Sequence, residues 1–288
     1  MAYQLEDYIV HRIPKKSGGL RVLHEPKPEL KALQKRVLRW LQARGLNGGR
    51  RSHAFERGRS IATHARLHVG KRVVIRLDLE NFFGSVSSKM LLEALVRERV
   101  SREQAEEIVG ICTLDDYLPQ GAPTSPLLAN VAARRMDLRL AALAKSRGAV
   151  YSRYADDLTF SSDDVALNKL IPAIDHVVSE CGFALNRKKT LVMRRGRRQL
   201  VTGLIVNEQL NAPRQTRRKL RAQLHNLKQS LLNGESFDDE EFVKAKGMVA
   251  FLCSVRPEQA AALKQAAREI ENMLVMRGAV AMALAEAA

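Results

Sequence analysis

Two adjacent carboxylates, Asp156 and Asp157, interrupt a stretch of alternating apolar and polar residues that runs from Tyr154 to Phe160. Such alternation is typical of strands, and a polar pair within it predicts a tight hairpin turn. Like charges held together on a rigid turn repel strongly unless a cation lies between them. The pair therefore predicts a divalent metal site, whereas the dipeptide alone would also fit an exposed turn without a metal.

A third carboxylate, Asp78, ends the nearly continuous apolar run 72–77, which is typical of a central strand covered on both faces. The other Asp-Asp pairs of the chain do not interrupt a strand-like run. Carboxylates at the ends of two neighbouring strands can bind two Mg²⁺ ions, of which one activates a 3′-hydroxyl and the other stabilises the leaving pyrophosphate. Asp78, Asp156 and Asp157 therefore predict nucleotidyl-transfer chemistry with two Mg²⁺ ions, or with Mn²⁺ as a substitute.

Four segments occur in the order found in reverse transcriptases, a family that the chain resembles. They are Asp-Leu-Glu-Asn-Phe-Phe at 78–83, Leu-Pro-Gln-Gly-Ala-Pro-Thr-Ser-Pro at 118–126, Tyr-Ala-Asp-Asp at 154–157 and Asn-Arg-Lys-Lys-Thr at 186–190. Within this family the chain is most similar to bacterial retron enzymes, whose characteristic Val-Thr-Gly motif occurs here at residues 201–203. It departs from their Asn-Ala-x-x-His pattern, because His-Ala-Arg-Leu-His stands at 64–68.

The resemblance implies an α+β right-hand polymerase fold with three parts. Fingers would occupy residues 1–77, a palm with an antiparallel catalytic sheet packed on helices would occupy 78–210, and a helical thumb would occupy 211–288, with fingers and palm interleaved. The implied activity is RNA-directed DNA synthesis from dNTPs, with a dedicated structured non-coding RNA as template and primer and an RNA–DNA duplex as product. A role in antiphage defence with a separate effector protein is also implied.

The resemblance assigns roles to single residues around the three carboxylates. Lys189 would protonate the leaving pyrophosphate as a general acid, with the adjacent Lys188 as the alternative. Gln120 would contact the incoming nucleotide, and Gly121 would allow the backbone to approach closely. The carbonyl of Leu79 is a further candidate metal ligand.

An aromatic gate for the sugar is implied at Phe83, five residues after Asp78. A rigid ring against the sugar leaves no room for a 2′-hydroxyl, so deoxynucleotides would be accepted and ribonucleotides rejected. The neighbouring Phe82 is expected to pack in the core, since adjacent strand residues face opposite ways.

The charge of the chain predicts a polyanionic partner. Among 288 residues, 48 are Lys or Arg and 31 are Asp or Glu, which gives a net charge of +17 and a pI near 10.2. Nucleic acid is the natural candidate. Lys15 and Arg21 flank a Ser-Gly-Gly turn at 17–19, from which they could fold over a triphosphate and offset its charge.

The C-terminal part predicts a helix that begins with a cap near residues 211–213 and carries a basic stripe beside a leucine stripe. No acidic residue occurs from 211 to 228. A thumb helix must follow a duplex backbone through phosphate contacts, which favours a binding role over an ordinary solvated face. The candidate nucleic-acid-binding residues are Thr202, Gly203, Arg214, Arg217, Arg218, Arg221 and Lys228.

Other elements must position these residues. Apolar spacing predicts a helix over 29–41, and Ser125-Pro126 predicts the capped start of a long helix under the catalytic sheet, which ends at Gly148. His64 and His68 share a helical face without further metal-ligand spacing, so RNA contact or structural hydrogen bonding is expected of them.

The cellular setting and three other functions complete the expectations. No membrane span or signal segment is expected, which favours a cytoplasmic protein. The alternatives are a defence polymerase outside the true retrons, including one that needs no template, a diversity-generating or group II intron enzyme, and a non-catalytic RNA-binding scaffold.

Overall fold

The computed structural model describes residues 3–15 and 18–286, which form an α+β fold. In these residues the strands are β1 (Tyr8–Pro14), β2 (Leu20–Pro26), β3 (Val73–Asp78), β4 (Val150–Tyr154), β5 (Asp157–Ser162), β6 (Leu191–Arg194), β7 (Leu200–Val201) and β8 (Leu204–Ile205). The helices are α1 (Pro28–Ala43), α2 (Ile61–Arg66), α3 (Ser88–Arg97), α4 (Arg102–Cys112), α5 (Ser125–Ser146), α6 (Ile171–Glu180), α7 (Arg214–Leu232), α8 (Asp239–Val255) and α9 (Pro257–Glu286).

The central sheet has the strand order β4-β5-β3-β6, and all neighbouring strands are antiparallel. The predicted hairpin is confirmed, because β4 and β5 pair around a two-residue turn formed by Ala155 and Asp156. The predicted apolar strand is β3, which ends at Asp78, and its apolar residues are buried. The register of β3 and β5 sets Asp78 opposite Asp157.

The two faces of this sheet differ in polarity. Ile75 of β3 and Phe160 of β5 are fully buried in one apolar cluster with Met136 and Leu140 of α5, so the predicted packing of a long helix under the sheet is confirmed. Because strand side chains alternate, Asp78 lies on the opposite face from that cluster. Asp78 and Asp157 therefore lie on the polar face of the sheet, while the opposite face packs against the hydrophobic core.

Two helix starts differ from the expected caps. Ser125 does not cap α5: it is the first helical residue, and its hydroxyl donates to the Pro119 carbonyl at 2.7 Å, while Thr124 takes the N-cap position. The helix α7 begins at Arg214 with Pro213 at the N-cap and without a side-chain cap, since proline offers no acceptor side chain. The fixed φ of Pro213 is compatible with this start.

The chain divides into two compact units, Met1–Thr202 and Gly203–Ala288. Within the first unit, segments that are far apart in the sequence pair with each other: Ser52 forms a bridge with Arg153 of β4. In the second unit the predicted leucine stripe of α7 is buried; its residues are Leu220, Leu224, Leu227 and Leu231. Within the described residues, no helix has the length and apolar character needed to cross a membrane.

Candidate active site

The three predicted metal-binding carboxylates lie at the same end of the sheet. Asp78 ends β3 and is 9% exposed, Asp157 begins β5 opposite it, and Asp156 lies on the adjoining turn. The amide of Leu79 donates to the Asp156 carbonyl at 2.9 Å, which fastens the turn to the end of β3. Ala155 makes the tight turn with a left-handed φ of +56°.

Negative charge accumulates at this point. Burial, and then the neighbouring carboxylates of Asp78 and Asp157, raise the pKa of Asp156 above its usual value. Two cations offset the charge of the other two acids. Lys189 Nζ donates to Asp78 Oδ2 at 2.8 Å, and a guanidinium nitrogen of Arg76 lies 3.0 and 3.2 Å from the two carboxylate oxygens of Asp157.

The donor set fits a hard divalent cation in its chemistry, since it consists of carboxylate oxygens whose mutual repulsion a cation would relieve. Among the described residues, however, no three His, Cys, Asp or Glu side chains converge as a metal cage. In this arrangement the carboxylates of Asp78 and Asp157 bond instead to Lys189 and Arg76. An ion at this site would therefore have to compete with these two side-chain cations.

The structure distinguishes the two candidate lysines of the fourth motif. Both lie in the 3₁₀ turn Arg187–Lys189, and Lys189 is the one whose ammonium reaches Asp78. The hydrogen bond to Asp78, which outweighs partial burial, raises the pKa of Lys189. The turn is positioned by the Asn186 amide, which donates to the Asp78 carbonyl at 2.8 Å.

Gln120 and Gly121 are fastened to the β1–β2 hairpin. The His24 amide of β2 donates to the Gln120 carbonyl at 2.7 Å. Gly121 has φ +122°, and a Cβ there would lie 3.0 Å from the His24 carbonyl oxygen. The close backbone approach that Gly121 permits in this structure is therefore to β2, because a Cβ would crowd the His24 carbonyl and the φ of +122° strains any other residue.

Lys15 and Arg21 are exposed at the tip of the same hairpin. The Lys15 amide donates to the Gly19 carbonyl at 3.0 Å, and Arg21 pairs with Ile13 across the strands. Ser17, part of the predicted turn, lies outside the described residues together with Lys16. The two cations thus project from a hairpin whose second strand, β2, is bonded to the Gln120 loop.

Phe82 and Phe83 lie in a turn beyond β3 and not in a strand, so strand alternation is the wrong reason for their different environments. The Ser85 amide closes the turn by donating to the Asn81 carbonyl at 2.8 Å. Phe82 is nevertheless 5% exposed and belongs to the core, whereas Phe83 is half-buried. The Phe83 ring lies 6.2 Å from that of Phe55.

Phe55 is a residue that sequence reasoning missed. It is 54% exposed and adopts a φ of +61°, which is costly for a bulky side chain. Its neighbour Ala54 is held by the Asn130 side chain, which donates to the Ala54 carbonyl at 2.9 Å. No residue pattern around Phe55 signals this strained conformation, and the contact from Asn130 comes from a segment 76 residues away.

His68 has a structural role. Its side chain is fully buried and bonds to Ser161 of β5 at 2.7 Å and to Ser152 of β4 at 2.8 Å. The expectation of structural hydrogen bonding is confirmed for His68, and its burial is incompatible with RNA contact. His64 is also fully buried, with its ring 5.8 Å from that of Tyr154.

A buried ion pair supports the hairpin from below. Arg153 of β4 and Asp137 of α5 form a bidentate pair with contacts of 2.7 and 2.9 Å. The same guanidinium donates to the Ala155 carbonyl at 3.0 Å, next to Asp156. Breaking such a pair leaves an uncompensated buried charge. The signal in the sequence was Asp137, the acid among the buried, mostly apolar residues of α5.

The predicted nucleic-acid-binding residues divide by exposure. Arg214, Arg218 and Arg221 are exposed on α7, whereas Arg217 is half-buried. Lys228 is paired with Glu269 of α9 at 2.8 Å, so part of its charge is already offset.

The Val-Thr-Gly segment is shaped by its backbone. Thr202 has a φ of +46°, and its hydroxyl donates to the Ile61 carbonyl at 3.0 Å. Gly203 is exposed with a φ of +82°. The Thr202 side chain therefore anchors this turn to α2 in this structure, and Gly203 supplies the left-handed position that follows.

An antiparallel sheet packed on helices, with three carboxylates at the adjoining ends of two strands, defines the palm of nucleic-acid polymerases. The sequence profile described as reverse transcriptase (RNA-dependent DNA polymerase) matches residues 13–228. The chain is 43% identical over 278 residues to the Retron Mx65 reverse transcriptase of Myxococcus xanthus and 32% identical over 254 residues to the Retron Ec86 reverse transcriptase of Escherichia coli. The chain belongs to the reverse transcriptase family, among its bacterial retron-type members.

The share of each relative that is matched differs. The match to Mx65 covers 89% of this chain and 63% of that protein, and the match to Ec86 covers 86% and 76%. The Retron Mx162 reverse transcriptase, also of Myxococcus xanthus, is 36% identical over 302 residues, with 92% of this chain and 61% of that protein covered. The chain thus spans less than two thirds of the length of the two Myxococcus relatives.

Solved structures support the right-hand fold. Apo telomerase of Candida tropicalis, truncated from its C-terminal domain, gives a TM-score of 0.53 at 14% identity, covering 72% of this chain and 55% of that one. The foamy viral protease-reverse transcriptase in complex with ds DNA gives a TM-score of 0.52 at 15% identity, covering 85% and 36%. At such identities the likeness concerns the fold alone.

Proposed function

We propose that the chain is an RNA-directed DNA polymerase of the retron type, which copies a dedicated structured non-coding RNA into DNA. The observation that carries the proposal is the strand register that sets Asp78 opposite Asp157, with Asp156 on the adjoining turn. Membership of the retron-type enzymes supports the activity, and the net charge of +17 supports a nucleic-acid partner.

The proposed cofactors are two Mg²⁺ ions, with Mn²⁺ as a substitute, held by Asp78, Asp156 and Asp157 and by the Leu79 carbonyl. When bound, such ions activate a 3′-hydroxyl and stabilise the leaving pyrophosphate. The raised pKa of Asp156, caused by burial and by the other two acids, supports a site that favours added positive charge.

Residues around the carboxylates would act on the nucleotide directly. Lys189, already bonded to Asp78 at 2.8 Å, would give a proton to a pyrophosphate oxygen as the general acid. Phe83 would exclude the 2′-hydroxyl, and Gln120 would contact the nucleotide beside Gly121. Lys15 and Arg21 would offset the triphosphate charge from the hairpin tip.

Each predicted domain would have its own role in synthesis. Fingers in residues 1–77 and the palm in 78–210 would build the nucleotide site. The thumb in 211–288 would follow the RNA–DNA duplex with Arg214, Arg217, Arg218, Arg221 and Lys228, while Thr202 and Gly203 would contact the cognate RNA. The retron relationship supports a role in antiphage defence, with an effector on a separate protein.

The decisive experiment supplies the purified full chain with an RNA template, a DNA primer, dNTPs and Mg²⁺, and sequences both the product and the nucleic acid that copurifies. The expected product is DNA complementary to the added RNA. DNA whose sequence ignores the template would indicate template-independent synthesis. RNA binding without any synthesis would identify a non-catalytic scaffold and refute the proposal.

A further inference from the structure

A groove of ≈ 750 Å³ lies between the segment 47–59 and one face of α5. Five of its lining residues are arginines: Arg50, Arg51, Arg57, Arg59 and Arg134. Small-molecule sites are mostly apolar, with a small number of placed polar groups. Five arginines among the twelve lining residues favour an anionic ligand over such an apolar one.

The groove wall is built onto the outer edge of the sheet. The Arg153 amide donates to the Arg51 carbonyl at 2.8 Å, and the His53 amide donates to the Arg153 carbonyl at 2.8 Å. Because β4 is the outermost strand in the order β4-β5-β3-β6, the groove lies beyond that edge. The wall is therefore held in place by backbone hydrogen bonds and does not depend on a loose loop.

The acids that line the groove are already engaged. Glu56 accepts from the Gly48 amide at 2.7 Å and from the Asn130 side chain at 3.0 Å. Asp137 is neutralised by the buried guanidinium of Arg153. Glu56 thus keeps one negative charge beside the five arginines of this lining, whereas Arg153 offsets the charge of Asp137.

The arginines divide into fixed and available ones. Arg59 donates to the Gly49 carbonyl at 2.9 Å, and Arg134 pairs with Glu98 at 2.5 Å. Arg50, Arg51 and Arg57 are exposed, and within residues 3–15 and 18–286 none of these three pairs with an acid. Three like charges that share a groove without acidic partners favour a bound polyanion.

We propose that this groove is a second RNA-binding surface, which holds backbone phosphates of the RNA outside the stretch being copied. The inference rests on the proposed function. RNA is favoured over an acidic protein because the proposed template is RNA, and because exposed guanidiniums pair with phosphates through two N–H donors and offer flat surfaces on which bases can stack. The net charge of +17 agrees with phosphate-dominated binding.

The test replaces Arg50, Arg51 and Arg57 together by Gln in the full chain. The matched control replaces three exposed arginines outside the groove, Arg36, Arg97 and Arg147, by Gln, which removes the same charge. Affinity for a synthetic hairpin RNA with a single-stranded tail is measured over a range of salt concentrations. The groove variant should lose roughly two to three units of log–log salt slope, and the control should lose markedly less.

Additional variants and assays distinguish loss of RNA binding at the groove from misfolding, from binding of an acidic protein and from failure of the polymerase assignment. A charge-preserving triple Lys variant of the groove should retain the salt slope, and equal unfolding midpoints of all variants would confirm intact folding. Equal weakening by groove and control variants, or a loss of polyglutamate binding with unchanged RNA binding, would overturn the proposal. DNA synthesis by the unaltered chain on poly(rA)·oligo(dT) is measured in parallel: its absence would refute the polymerase assignment, whereas the salt slopes judge the groove.

Discussion

Asp156 is the residue at which the charge of the proposed metal site is least compensated. Asp78 and Asp157 each bond to a side-chain cation, whereas the pKa of Asp156 is raised by burial and by those two acids. A group whose charge is disfavoured by its neighbours gains most from an added cation. Asp156 is therefore the most sensitive place to test metal dependence.

The first prediction is that Asp156→Asn lowers DNA synthesis by several orders of magnitude, because it removes a charge and keeps the shape of the side chain. RNA affinity should change little, since dispersed cations carry it. Primer extension and RNA binding are measured on the same preparation, with Asp163→Asn, an exposed acid beyond β5, as the control. Synthesis that survives in Asp156→Asn would contradict the assignment.

The second prediction concerns the sugar gate. Phe83 is half-buried beside the exposed ring of Phe55, whereas Phe82 is packed in the core. Phe83→Val should raise ribonucleotide incorporation relative to deoxynucleotides because space opens at the 2′ position. The readout is the ratio of kcat/KM for the two substrates.

The matched control for the gate is Phe82→Val, which removes the same atoms from the core. It should lower stability by about 2–4 kcal/mol and leave discrimination unchanged. Discrimination that collapses with Phe82→Val and holds with Phe83→Val would show that the two rings have the opposite roles.

At the scale of elements, the exposed basic face of α7 gives a third prediction. Replacing Arg214, Arg218 and Arg221 by Gln should weaken duplex binding and reduce its salt dependence by roughly one unit of log–log slope per lost contact. Replacing Lys264 and Arg268, exposed on α9, serves as the control. A salt slope equal to that of the unaltered chain would make the stripe an ordinary solvated face.

The elements were predictable where a pattern is local. Apolar runs and turn residues gave β3, the β4–β5 hairpin, α1, α5 and α7, because spacing reports directly which face is buried. Ends were less predictable: α5 already includes Ser125, whose hydroxyl donates to the Pro119 carbonyl and does not cap the helix. The order of the motifs identified the candidate carboxylates. Asp156 and Asp157 were expected to lie side by side because they are neighbours at a tight turn.

Contacts between distant segments could not be predicted from spacing. Asp157 bonds to Arg76, 81 residues earlier in the chain, and His68 bonds to Ser161, 93 residues later. The only available signals were a cation within an apolar run and a histidine with no metal-ligand spacing around it. Which partner satisfies a buried polar group depends on the assembled sheet.

At the scale of the whole molecule, three histidines of the segment 52–68 are buried, and one of them, His68, bonds to the sheet through Ser161 and Ser152. Burial, followed by the charge of Arg59, lowers the pKa of His53 to about 4. Burial, followed by His53, lowers the pKa of His64 to about 3, and burial holds the pKa of His68 well below its usual value. All three are therefore neutral in the folded chain at neutral pH.

The last prediction is that the protein loses stability in mild acid. Below about pH 6.5 the unfolded chain protonates these histidines while the folded chain does not, so the free energy of unfolding falls as pH drops toward about 4. The slope approaches roughly 1.4 kcal/mol per pH unit for each histidine, and the contribution vanishes above that range. Urea unfolding at a series of pH values measures this dependence of the free energy of unfolding on pH.

Two variants serve as controls. His53→Asn, which cannot ionise but can still bond to Thr63, should make the free energy of unfolding less dependent on pH, whereas the exposed His176→Gln should leave that dependence unchanged. A stability that does not fall from neutral pH to about pH 5 would show that these side chains find water or a counter-charge when protonated.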